Sequence, residues 1–217
     1  MTPEDFVGTV HRNLAHRKRE LSQLKLDIQS LEDGHAEPAQ MGWATRAAVV
    51  LAYAHWEGFV KTASEKYVRF IVAQRIPTSL LKASLQAASV ASHFKRSEGS
   101  QKARYLGELL ADMDAKRQEI FSVNPDKVID TESNLSSRVF AEIIAALGLE
   151  VPTFAVTHLG YIDSSLLAAR NKVAHGELLS YSSEEAISRV EVVLTLLDGY
   201  ADYLIDAVRD RLFMAIA

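Results

Sequence analysis

The chain of 217 residues contains no cysteine. That excludes disulfide frameworks, thiolate metal sites and a cysteine nucleophile. Long apolar runs are also missing. None approaches the ~20 residues of a membrane span, and the opening MTPEDFVGTVHRN lacks the apolar stretch of a signal peptide. There is no positive excess either: 24 Lys and Arg against 28 Asp and Glu leave a net charge of −4. That balance argues against coating nucleic acid by bulk charge, but leaves room for one small basic site. No glycine-rich phosphate loop, His-Glu-x-x-His pair or nucleophile elbow occurs. The seven histidines are not spaced as ligands; His11 and His16, five apart, lie about 140° round a helix and are expected to be exposed. The expectation is a cytoplasmic protein with no metal site and no cofactor.

What is present suits a packed core: 48% of residues are hydrophobic and 24% charged. The length fits a single domain over residues 1–217. The five prolines, Pro3, Pro38, Pro77, Pro125 and Pro152, fall where helical patterns start or stop. Thr2-Pro3-Glu4 predicts a helix start, and Phe6, Val10, Leu14, Leu21, Leu24, Ile28 and Leu31 draw one apolar stripe as far as Asp33-Gly34. The block His16-Arg17-Lys18-Arg19 in that helix reads as a solvated face or as a contact to an acidic partner or phosphates.

A second helix is predicted over 42–74. Val49, Tyr53, Trp56, Val60, Ala63, Tyr67 and Phe70 recur at alternating steps of four and three, the seam of a bundle helix. Trp56 on that seam reads as core. Shorter helices are expected over 79–94 and 98–120, parted near Gly99, with a scrap of strand at 121–123 and 128–129. A fifth helix spans 136–147 and ends at Gly148, a sixth 157–175. A seventh starts at the capping box Ser182-x-x-Glu185 and carries Ile187, Val190, Leu194, Leu197, Ala201, Leu204 and Val208. The fold class is all-α: an up-and-down bundle of about six or seven helices.

One stretch of the sixth helix stands apart, Arg170-Asn171-Lys172-Val173-Ala174-His175-Gly176. The stripe Leu159, Ile162, Leu166, Val173 passes through position 170, where an apolar residue is expected and an arginine stands. A guanidinium there needs an anion. It can be the carboxylate of a neighbouring helix, Glu57 for example, or a ligand. Asn171 and His175 share a face. His175 sits at the helix end, where the dipole favours its protonated form.

Arg170-Asn171-Lys172-Val173-Ala174-His175 resembles the Arg-polar-x-x-x-His signature of the HEPN superfamily. The stretch 46–59, from Arg46 to Phe59, resembles the second helix of its stand-alone MAE-like branch. The likeness covers mainly helices two, six and seven, so 77–135 reads as a branch-specific insertion between helices two and five. The resemblance implies a metal-independent endoribonuclease working at a homodimer cleft, with RNA as substrate. Many such proteins are toxins of toxin–antitoxin pairs or act in phage defence, which implies an antitoxin partner.

The residue types fit that chemistry. RNA brings its own nucleophile, the 2′-OH, so the protein need only move protons and stabilise phosphate charge. His175 can act as base or acid, and Arg170 can hold a phosphate oxygen. Asn171 can orient either, Lys172 adds charge, and Glu57 is a candidate orienting residue, unless it pairs with Lys61 along its own helix. Arg170 and His175, about 140° apart, do not share a helix face. Unwinding before Gly176, a long arginine reach, or completion across a two-fold axis would bring them together. The alternative reading is a non-catalytic module that binds nucleotide, RNA or a protein partner.

Overall fold

Thr2 begins the chain's first helix as its sequence requires. In the computed structural model, which describes residues 1–97 and 103–215, Thr2 Oγ1 accepts from the Asp5 amide at 3.2 Å and Asp5 Oδ2 accepts from the Thr2 amide at 2.9 Å. This capping box satisfies two amides that would otherwise lack partners at the head of α1 (Pro3–Asp33). The helix ends at Gly34, but the left-handed residue is the next one, His35, with φ 53°. Pro38 then occupies the first turn of α2 (Pro38–Ala73), which starts a turn earlier than the predicted Gly42.

The predicted seam of α2 is buried throughout: Val49, Tyr53, Trp56, Val60, Ala63, Tyr67 and Phe70 all lie in the core. The last long helix, α10 (Ser183–Arg209), starts at the expected Ser182–Glu185 capping box. These three helices pack on one another. Trp56, Phe140 and Tyr200 form the centre, with ring centroids 5.5 to 6.1 Å apart. Each such side chain contributes on the order of 1.5–3 kcal/mol by burial. Tyr200 keeps its hydroxyl satisfied at 2.6 Å from Ser64. The stripe of α10 is broader than predicted: Val193, Leu196 and Tyr200 are buried, while Ile187 and Leu194 are half-buried.

Between α2 and α10 the chain is built from short pieces. A 3₁₀ turn (Thr78–Leu80) leads into α3 (Ala83–Ser97), and α3 packs on α4 (Ala103–Gln118). The predicted separator at 97–101 falls largely outside the described residues. The scrap of strand does not form. Among the described residues there are isolated bridges, Pro77 with Ile120 and Leu81 with Met214, and 125–128 is the single-turn helix α5 (Pro125–Val128) capped by Asn124. Then comes α6 (Ser137–Ala146), with Val139, Phe140, Ile143 and Ile144 inward and Gly148 at φ 74° as its terminator.

A single turn, α7 (Thr153–Val156), precedes the predicted sixth helix, which is not a uniform α-helix: it runs as α8 (Leu159–Tyr161), a π turn (Ile162–Leu167) and α9 (Ala168–Ala174). In the π turn the Ala168 amide bonds the Asp163 carbonyl, five residues back. The same segment is tied to another helix: the Asp163 carboxylate accepts from the Ser137 amide at 2.7 Å and from the Ser137 hydroxyl, at the N-terminus of α6. Among the described residues no helix is long and apolar enough to cross a membrane.

Candidate functional site

Below the π turn, Ala169 takes the inward position at 6% exposure. Arg170 therefore does not replace a core residue, as the stripe suggested. It stands half-buried at the rim, beside the core rather than in it. Its guanidinium lies over the Tyr53 ring of α2, 5.0 Å from the centroid. Nη1 donates to Asn134 Oδ1 at 2.9 Å and to Asn171 Oδ1 at 2.7 Å, and Nη2 donates to the Ser133 carbonyl at 3.2 Å.

All three acceptors are neutral. Among the described residues no carboxylate forms an ion pair with Arg170, Glu57 included, and Glu57 forms none with Lys61. An arginine has five N–H donors. Among the described residues the three bonds above leave two of these donors, Nε–H and one Nη2–H, without a protein partner. Guanidinium donors of this kind bind phosphate oxygens.

Loop 131–135 is held to the same place. Tyr53 accepts from the buried Leu135 amide at 2.6 Å. Burial, and next the nearby Glu57 charge, push the Tyr53 phenol well above its usual range, so it stays a neutral anchor.

His175 is the terminal residue of α9. Its backbone amide bonds the Asn171 carbonyl at 2.9 Å, Gly176 follows at φ 81°, and the Glu177 amide returns to Lys172 O at 3.0 Å. The imidazole is exposed, as is Lys172. The helix stays wound through residue 174, so Arg170 and His175 keep their angular separation within one chain. Asn171 joins them: its side chain holds the arginine and its carbonyl holds the histidine backbone. Arg46 of α2 donates to the Leu179 carbonyl at 3.2 Å and fixes the chain beyond.

Sequence reasoning placed Arg170, Asn171, Lys172, His175 and Glu57 on these elements but missed Ser133, Asn134 and the part played by Tyr53. Tyr53 carried only a core signal, and Asn134 lies 36 residues from Arg170. Among the described residues no group of three or more His, Asp or Glu is placed to hold a metal ion. Of the unassigned aromatics, Trp43 is exposed, and Tyr161 is half-buried with its phenol pushed up by burial.

The chain belongs to the RiboL-PSP-HEPN family, whose sequence profile matches residues 12–206. HEPN domains are commonly ribonucleases. No curated protein and no solved structure matches the chain.

Proposed function

We propose that the protein is a metal-independent endoribonuclease, with Arg170 and His175 as its catalytic pair. The observation that carries this reading is the state of Arg170: a cation held in place by neutral groups, with two donors left for an anion. In the reaction the RNA 2′-oxygen attacks the adjacent phosphorus and the 5′-oxygen leaves. The products are a 2′,3′-cyclic phosphate and a 5′-OH end. Arg170 stabilises the charge gathering on the phosphate oxygens. His175 takes the 2′-OH proton or protonates the departing oxygen. Asn171 aims Arg170, Lys172 adds potential, and Glu57 serves as an orienting residue.

One imidazole cannot serve both ends of the reaction at once, so the proposed working unit is a homodimer whose cleft holds two copies of the pair. The MAE-like resemblance of 46–59 supports this. So do the exposed apolar side chains of Trp43 and Leu51 on α2 and of Leu178, which is 90% exposed. A toxin or phage-defence role, with an antitoxin as protein partner, follows from the same resemblance.

The test is RNA cleavage in EDTA with end-group analysis. Wild type should cut and leave cyclic-phosphate ends. Arg170→Ala should lower the rate by about 10²–10³ and His175→Ala by about 10²–10⁴. Arg170→Lys should not restore it, because an ammonium has no fork. Intact RNA with wild type, or full activity in both alanine variants, would end this reading. The second reading, binding without turnover, is favoured by the exposed His175 ring, which among the described residues has no side-chain partner to fix its tautomer. Cyclic-phosphate ends would exclude it.

A further inference from the structure

On another face of α2, a groove of about 350 Å³ runs between it and α1. The volume lies in the ~300–1,000 Å³ range of small-ligand sites. Three basic residues line it, Arg12 and His16 from α1 and Lys66 from α2, and no carboxylate does. In a chain of net charge −4 that is a local reversal of sign. Among the described residues neither Arg12 nor Lys66 is in an ion pair. Arg12 donates to Thr9 Oγ1 at 3.1 Å and keeps its other donors.

Asn13 completes the donor set. Its Oδ1 accepts from Arg17 Nε at 2.8 Å, which leaves the amide hydrogens as its free polar atoms. Arg17 is itself anchored on the His55 carbonyl at 3.2 Å, packed so closely over Gly58 that an added Cβ there would stand 3.0 Å from both terminal nitrogens. Of the acids nearby, Glu20 lies 3.5 Å from both His16 and His55, and Asp5 feels the charge of Arg12; neither lines the groove. Below, Phe59 and Ala63 form a buried apolar floor, which keeps the field of Arg12 and Lys66 from being fully screened.

We propose that this groove is a second anion site, one that takes the phosphate of a nucleotide or of an RNA strand. It stands on Arg12, Asn13, His16 and Lys66, and does not depend on the cleavage chemistry assigned to Arg170.

The probes are ATP and a short single-stranded RNA, titrated at low salt against the full chain. The RNA arm uses the Arg170→Ala background so that the strand stays whole. Arg12→Ala combined with Lys66→Ala should weaken binding of at least one probe by about tenfold or more. Arg12→Lys with Lys66→Arg should restore it, and circular dichroism should match wild type in both. The ATP arm is read in the Arg170→Ala background as well, so that Arg170 contributes to neither titration. Loss in the ATP arm marks a free nucleotide as ligand; loss confined to RNA marks the strand. The proposal is overturned if neither probe binds, if the double alanine variant binds both as wild type does, or if Arg170→Ala by itself abolishes binding. RNA cleavage, assayed separately, reports on the nuclease reading alone.

Discussion

Gly199 lies in α10 against the ring of Phe154, where an added Cβ would stand 2.8 Å from Cδ2 and 2.9 Å from Cγ. Those atoms belong to the ring's near edge, so the whole of α7 would have to give way. Gly8 in α1 is the opposite case, with only Arg12 Nη1 at 3.5 Å. The same substitution should therefore change sign between the two sites. Gly199→Ala is expected to lower unfolding free energy by about 1–3 kcal/mol through overpacking. Gly8→Ala is expected to raise it by up to about 1 kcal/mol through helix propensity. Urea denaturation of the two variants checks this; equal effects would refute the steric argument.

The π turn acts at the next scale. It carries Asp163, which reaches across to Ser137, and the helix that follows it turns Ala169 inward and sets Arg170 at the rim over Tyr53. Inserting one alanine between Ala168 and Ala169, in the α geometry after the turn, rotates everything downstream by about 100°. Helix content by circular dichroism should stay near wild type while RNA cleavage is lost. Retained cleavage would show that the register after the turn does not aim the arginine. The turn itself is not legible in the sequence, because Leu159, Ile162, Leu166 and Val173 fit an unbroken α-helix equally well. Its Asp163 bonds a partner 26 residues away. By contrast, α1, α2 and α10 were legible because each repeats its apolar step over many turns; α1 and α10 also open on a recognisable signal, Thr2 or Ser182, whereas the start of α2 at Pro38 was read a turn late. The motif ending at His175 was visible for a similar local reason. Its supports at Ser133 and Asn134 were not, since a polar loop residue carries no mark of what it will meet.

Across the whole molecule, six of the seven tyrosines, Tyr53, Tyr67, Tyr161, Tyr181, Tyr200 and Tyr203, have phenols raised above their ordinary value, burial being the first cause in each. The unfolded chain releases those protons near pH ~10, whereas the fold retains them. Their stabilising contribution is complete below pH ~10 and is lost as pH rises through the folded values. Thermal midpoints should thus fall steeply above pH ~10, and most phenolate absorbance should appear together with unfolding. Six phenolates titrating near pH ~10 with native circular dichroism would contradict this. The loop at Ser133 has a consequence of the same breadth. Glu132 and Ser133 hold left-handed backbones, φ 50° and 59°, at on the order of 1–2 kcal/mol each, and the guanidinium is among the groups that keep Ser133 there. Thermodynamic reciprocity then requires that whatever tightens one tightens the other. A backbone nick between residues 130 and 136 would leave every residue of the Arg170–His175 stretch untouched and still blunt its grip.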